Sequence, residues 1–301
     1  MDLAPGPHGG DGARVARALG LDPADVLDLS LSLNPVAPDP TPVLARHLDA
    51  LGRYPDARAA EASLARAMGV DPARLLLTNG GSEAIALVAR ARGGSVEEPE
   101  FALHPRGGGP RWRSNPRNPT GLLAAPDERA DVWDEAFYPL ATGRWTRGDE
   151  GTVVVGSLTK LLACPGLRVG YVLGDPAFVA ARRAEQPTWS VNGLVAEALG
   201  ELLAGVDLAA SAAAVADLRE RLRGTLSALG FAVRPSQANW LLVDRAGLRD
   251  ELLAARIVVR DCASFGLPGT VRIAVPGEAG LARLEAALAR IDPKPPTRGE
   301  T

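Results

Sequence analysis

Lys160 closes the run Gly156-Ser157-Leu158-Thr159-Lys160, which follows the apolar stretch Val153 to Val155. Most lysines are solvated surface charges, so the neighbours carry the meaning. Ser157 and Thr159 place two hydroxyls beside it, and Arg168 follows a Pro165-Gly166 turn. Hydroxyls and a guanidinium are what a phosphate dianion needs, and arginine can engage it through two parallel hydrogen bonds. A desolvated lysine beside such cations has a lowered pKa and presents the neutral amine that imine formation requires. The arrangement suits a phosphorylated aldehyde. Asn79-Gly80-Gly81-Ser82 offers a second anion site, because N–H groups at a helix start point outward and the helix dipole favours negative charge. A glycine pair before a helix is by itself more often a plain turn, and only its combination with the Lys160 segment raises it.

Three more residues could take part. Asp134 ends Val132-Trp133-Asp134, where a carboxylate buried beneath a ring nitrogen would keep that nitrogen protonated, although an Asp after a strand is common without such a role. Asn118 lies in Asn115-Pro116-Arg117-Asn118-Pro119-Thr120-Gly121, too rich in proline for helix; its side chain could donate to a phenolic oxygen or simply close a turn. Arg272 sits among apolar residues in Val271-Arg272-Ile273-Ala274-Val275, where an unpaired cation is costly. Either an internal acid or a substrate carboxylate partners it, and the strand alone leaves both open.

The elements that must position these groups follow from apolar patterning. Leu75 to Leu77 reads as a short buried strand, followed by the glycine turn and a helix from about Glu83 to Arg92. Val153 to Val155 is a second strand, and Val169, Tyr171 and Leu173 alternate as a half-buried strand would. Strands alternating with helices predict an α/β sheet. Beyond about Gly193 the pattern changes: Val215, Leu218, Leu222, Leu226 and Leu229 share a helical face that Gly230 ends. Strand-like runs Ala238 to Val243, Ile257 to Val259 and Val271 to Val275 follow, then a last helix carrying Leu281, Leu284, Leu288 and Ile291. This second part reads as a compact α+β domain, and the polar tail from Pro293 to Thr301 as frayed.

Bulk properties narrow the function classes. A chain of 301 residues suggests two domains. Hydrophobic residues at 46% and charged residues at 23% are near the globular average, while 33 Gly and 25 Pro point to many turns. A formal net charge of -3 with no long basic block supplies no phosphate-neutralising surface, which argues against nucleic acid. Met1 to Gly20 lacks a signal-peptide pattern and no run approaches a membrane span, so no membrane partner and a cytoplasmic location are expected. The two cysteines, Cys164 and Cys262, are expected to be buried thiols.

Taken together and in order, these pieces resemble the fold-type I pyridoxal 5'-phosphate (PLP) enzymes of the class I/II aminotransferase family. The branch is that of histidinol-phosphate aminotransferase and threonine-phosphate decarboxylase. The resemblance rests on His8-Gly9-Gly10, Arg53-Tyr54-Pro55-Asp56, Asn79 to Ile85, Asn118 to Gly121, Asp134-Glu135-Ala136-Phe137, Ser157 to Lys160, Pro165 to Tyr171 and Trp189-Ser190-Val191-Asn192. It implies a mostly parallel sheet sandwiched by helices and a smaller α+β domain. The expected division is an arm at 1–34, a large PLP-binding domain at 35–193, a small domain at 194–292 and a tail at 293–301.

By position, the resemblance implies that Lys160 carries PLP as an imine, Asp134 pairs with the pyridine nitrogen and Asn118 contacts the ring hydroxyl. Ser157, Thr159, Arg168 and the turn Gly80, Gly81, Ser82 hold the phosphate, joined by Tyr54 from the second subunit of a homodimer. Arg272 with Asn192 binds the substrate carboxylate, and His8 and Arg260 are candidates for a phosphate on the substrate. Three departures stand out. His104, with Phe101 as a possible substitute, occupies the place of the aromatic residue that stacks on the ring; Phe137 replaces a tyrosine; and the intervals from His104 to Asn115 and from Gly121 to Trp133 are short enough to delete helices.

The opening His-Gly-Gly, the 189–192 stretch and Val259-Arg260-Asp261-Cys262-Ala263 favour decarboxylation of O-phosphothreonine to aminopropanol phosphate in cobalamin biosynthesis. The alternatives are amino transfer with histidinol phosphate or a related amino acid, and a non-catalytic relative that keeps the fold.

Overall fold

The computed structural model describes residues 3–149 and 151–294. Nine strands form two sheets: β1 (Leu27–Leu29), β2 (Leu75–Asn79), β3 (Trp112–Ser114), β4 (Val132–Asp134), β5 (Val153–Ser157), β6 (Val169–Leu173), β7 (Trp240–Asp244), β8 (Ile257–Asp261) and β9 (Thr270–Ala274). The helices are α1 (Gly12–Leu19), α2 (Thr41–Arg46), α3 (Arg58–Met68), α4 (Gly80–Arg92), α5 (Tyr138–Thr142), α6 (Leu158–Leu161), α7 (Pro176–Glu185), α8 (Gly193–Ala204), α9 (Leu208–Ala228), α10 (Leu248–Ala254) and α11 (Glu278–Leu288).

The large sheet has the order β2-β6-β5-β4-β3. β3, β4 and β5 pair in parallel, and β6 is antiparallel to both β5 and β2. Four strands therefore share one direction and β6 is the reversed one. Side chains alternate across a strand, and both faces are covered. Leu75, Leu77, Trp133, Val154 and Tyr171 pack towards α3 and α8, whereas Leu76, Val132, Val153, Val155 and Val172 pack towards α4 and α7. This two-sided cover overturns the half-buried reading of Val169 to Leu173, all five of which are buried.

The parallel connection from β3 to β4 has no helix, although such crossovers usually carry one. Irregular chain fills residues 115–131. Near it, two guanidiniums lie over the Trp133 ring, Arg147 at 4.8 Å and Arg113 at 5.9 Å from its centre, and cation–π contact lets them cover apolar surface. The outer edge of β3 is met by residues 95–100: Trp112 N–H donates to Ser95 O at 2.8 Å and Ser114 N–H to Glu100 Oε1 at 2.9 Å.

The small sheet has the order β1-β8-β9-β7. Its edge strand β1 comes from the first residues of the chain and runs parallel to β8. α9 and α11 cover one face through Leu218, Leu222, Leu226, Leu281, Leu284 and Leu288, and α1 covers the other, where Val15 and Ala16 meet Val258. α8 packs on α3 in the core of the large sheet. The change of core falls within α9, where Val215 belongs to the first and Leu218 to the second, rather than at Gly193. No single helix among the described residues is long and apolar enough to cross a membrane.

Candidate active site

The shared strand direction brings the chemistry to one edge of the large sheet. β2 delivers Asn79 into the turn Gly80-Gly81-Ser82, β3 leads to Asn118, β4 ends at Asp134 and β5 at Ser157, one turn before Lys160. β6 runs the other way, so Arg168 at its start reaches the same edge. Ligands of open α/β sheets bind in this crevice beyond the strand ends. Here a cavity of about 310 Å³ is lined by Gly81, Ser82, Asn118, Asp134, Ser157, Thr159, Lys160 and Arg168 from this side. His8, Ser30, Ser32, Arg260, Phe265 and Arg272 close it from the arm and the small sheet.

Lys160 has its amine pulled down to about 8, by burial first and then by the charges of Arg272 and Arg168 against the opposing Asp134. Its Nζ stands 5.9 Å from the centre of the Phe137 ring. Asp134 is buried with both oxygens occupied: Oδ1 accepts Ala136 N–H at 3.0 Å, and Oδ2 lies 3.0 Å from His104 Nε2.

Glycine is required at three positions, at Gly80 by its left-handed backbone and at Gly170 and Gly156 by space. A Cβ on Gly80 (φ +75°) would meet the Arg168 guanidinium at 2.5 Å, one on Gly170 would lie 2.4 Å from the Gly80 carbonyl carbon, and one on Gly156 would enter the Tyr171 ring. The close approach lets the Gly80 turn, the end of β5 and the start of β6 share one small space. Ser157 Oγ and Thr159 Oγ1 lie 2.7 Å apart at its rim. Exposed Arg168 makes one long contact, Nη1 to Pro165 O at 3.4 Å, and no ion pair among the described residues.

Arg272 is fully enclosed. Its Nη1 donates to Asn118 Oδ1 at 2.6 Å, its guanidinium lies 5.1 Å from the Trp240 ring centre, and no carboxylate meets it among the described residues. Burial pulls its pKa down to about 10. Of the two partners left open for it, the internal acid is absent from these residues. Asn118, with its oxygen taken, is left with its amide nitrogen as donor.

Two expected positions, His104 and Asn192, lie outside the cavity lining. His104 does not line the cavity, whereas Phe101 does. The imidazole is wedged behind Asp134, its Nδ1 3.5 Å from Glu100 Oε2. Burial opposes its charge, but Asp134 and Glu100 outweigh burial and hold it at about 9. Asn192 does not line the cavity either. It is the N-cap of α8, with Oδ1 accepting Val195 N–H at 3.0 Å and Nδ2 donating to Leu167 O at 2.7 Å, so its amide is engaged in structure at both ends. Tyr54 is 75% exposed, stacked on Trp189 at 4.1 Å, and outside this chain's own cavity.

Arg260 lines the cavity but also holds the arm, donating to Gly6 O at 2.6 Å, Pro7 O at 2.5 Å and Ser264 Oγ at 2.8 Å. That brings His8 to 6.1 Å from the Phe101 ring. Ser30 and Ser32 were not anticipated. Ser32 Oγ is buried without a hydrogen-bond partner, and Ser30, Leu31 and Ser32 all line the cavity just past the end of β1, in irregular chain that offers no periodic signal.

The aminotransferase class I and II family profile matches residues 112–291. The chain belongs to this family. It is 33% identical to the threonine-phosphate decarboxylase of Salmonella typhimurium over 97% of this chain and 98% of that one. It is 30% identical to histidinol-phosphate aminotransferase 1 of Thiobacillus denitrificans over 91% and 87%. The fold is shared with the histidinol-phosphate aminotransferase of Clostridium acetobutylicum, at a TM-score of 0.76 and 24% identity over 88% of this chain and 98% of that one.

The chain is thus an enzyme of a PLP-dependent aminotransferase family, and its residues fit the cofactor. A lysine with a depressed pKa, a carboxylate fixed in the cavity wall, and a glycine turn beside a guanidinium without an ion pair among the described residues are the chemical counterparts of its aldehyde, ring nitrogen and phosphate.

Proposed function

We propose that this enzyme decarboxylates O-phosphothreonine to aminopropanol phosphate. The observation that carries the reading is the pair Arg260 and Arg272. They are register partners on β8 and β9, both buried and both lining the cavity, and neither meets a carboxylate among the described residues. Like charges directly opposite across an antiparallel pair are destabilising, so a ligand with two anionic groups would relieve both. A phosphorylated amino acid brings a phosphate and a carboxylate within a few bonds of each other.

Bound in the cavity, PLP supplies an aldehyde and an electron-accepting ring. Lys160 contributes the amine, a tenth of it neutral about one unit below its pKa. Asp134, steadied by His104 and Ala136, holds a proton at the ring nitrogen, and Asn118 donates through Nδ2 to the ring oxygen. Gly80, Gly81, Ser82, Ser157, Thr159 and Arg168 grip the cofactor phosphate. On the other side Arg272 takes the substrate carboxylate, while Arg260 and His8 take its phosphate. Held at both ends by these residues, the amino acid would be fixed in one orientation against the cofactor, and that orientation would decide which Cα bond breaks.

This reading includes a homodimer in which Tyr54 of a second copy reaches the cofactor phosphate, supported by its exposure and its distance from its own cavity. It also includes a cytoplasmic place in cobalamin biosynthesis. The second reading is amino transfer with histidinol phosphate, supported by the 30% identical relative. Carbon dioxide release separates them. The first expects release from O-phosphothreonine without a keto acid; turnover only with 2-oxoglutarate and histidinol phosphate would establish the second.

A further inference from the structure

The glycine turn is held from behind by a carboxylate to which the reading above gives no role. Glu83 lies in the first turn of α4 and accepts three donors from two parts of the chain. Its Oε2 takes the backbone N–H of Asn79 at 2.6 Å and Nε2 of Gln186 at 3.0 Å, and its Oε1 takes the hydroxyl of Ser190. Gln186 also donates to Leu77 O at 2.8 Å, so the same side chain grips β2 just before the turn.

The consequence is directional. The Asn79 N–H is donated to Glu83, and neither residue lines the cavity. Gly80, at φ +75°, then reverses the chain, and Gly81 and Ser82 line the cavity. Without the carboxylate, the Asn79 N–H and the Ser190 hydroxyl would lose this acceptor, leaving the Gln186 bond to Leu77 O to tie the 186–190 segment to β2. That segment carries Trp189 in a left-handed conformation, φ +59°, stacked on Tyr54.

We infer that Glu83 is a positioning residue for the cofactor phosphate: it sets the orientation of the Gly80-Gly81-Ser82 turn and couples it to the Gln186 to Ser190 segment. The inference rests on the PLP reading of the cavity.

Two opposite effects make it testable. As a bare negative charge near an anion site, Glu83 would weaken phosphate binding, and its removal would tighten it. As a positioning group, its removal loosens the turn and weakens binding of the phosphate alone. The measurement is spectrophotometric titration of apo-protein with PLP and, in parallel, with pyridoxal, which has the aldehyde and ring but no phosphate.

In Glu83→Ala, PLP affinity is expected to fall about tenfold while pyridoxal affinity stays within twofold of the parent. The double variant Gln186→Ala/Ser190→Ala, which leaves the carboxylate but removes two of its donors, should show a smaller fall of the same selectivity. Unchanged or tighter PLP binding in Glu83→Ala overturns the inference, and so does an equal loss for both ligands, which marks a general structural defect. Should Glu83→Ala not fold, the double variant decides by the same comparison. Failure of the parent protein itself to bind PLP would refute the cavity reading instead, so the two outcomes are distinguishable.

Discussion

Arg168 and Arg272 face one cavity from opposite sides in opposite physical states. Arg168 is exposed, loosely held at the head of β6, and surrounded by backbone and hydroxyls. Arg272 is enclosed, hydrogen-bonded to Asn118 and laid against Trp240, with a second buried arginine opposite. A wet guanidinium costs the fold little and attracts its anion weakly, whereas a buried one costs more and binds an incoming charge strongly. The large sheet thus builds its half of the site from tight backbone geometry, and the small sheet builds its half from stored charge.

The most severe way to break this comparison is to remove what both halves converge on. Lys160→Ala should leave no cofactor trapped after borohydride reduction and lower activity by about 10⁴-fold or more. Trapping equal to the parent would remove the basis of the whole site.

A sharper test acts on one half alone. Arg272→Met should lower kcat/KM for the amino-acid substrate by about 10²- to 10³-fold, because it removes the buried partner of a charge, and lower PLP affinity far less, by about threefold at most, through the Asn118 contact and the Lys160 amine. Its melting temperature should stay equal or rise by about 2–4 °C, since replacing a buried charge by an apolar chain of similar volume is often stabilising. A parallel loss of PLP affinity would show that the halves are not separable.

The smallest effect reads the coupling between the halves. With the amine pKa at about 8, the neutral fraction, and with it the rate of aldehyde capture by apo-protein, should rise about tenfold from pH 7 to pH 9 and level off there. An ordinary lysine would still be climbing. The Arg272→Met variant should move this midpoint upward, because the guanidinium that disfavours the charged amine is gone. Stopped-flow absorbance across the pH range would show whether the midpoint moves or stays.

These differences also explain what could be read in advance. The Lys160 segment, the Gly80 turn, Asp134 and Asn118 were legible because each lies in a short contiguous run at a strand end, where local geometry decides direction. Long-range packing was not. That β1 pairs with β8 depends on a contact between residues 27–29 and 257–259, which no local pattern encodes. His104 could be taken for a ring-stacking residue because the irregular segment that turns it behind Asp134 has no periodicity to follow. Asn192 is the milder case: Asn followed by Gly193-Leu194-Val195 is itself a helix-start pattern, and that signal was the stronger one.

The passage from β1 to residue 34 ties the two sheets together over a few residues. Asn34 N–H donates to the carbonyl of Lys160 itself at 2.9 Å and its Nδ2 to Leu161 O at 3.0 Å, while Asn239, just before β7, clasps the carbonyls of Ser32 and Leu33 at 2.8 and 3.1 Å. A leash of five residues spans at most about 18 Å when taut. Within that length the backbone of the reactive lysine and the start of β7 are hydrogen-bonded to one short stretch of chain, so the spacing between the amine and the arginines of the small sheet is set locally rather than through the two cores.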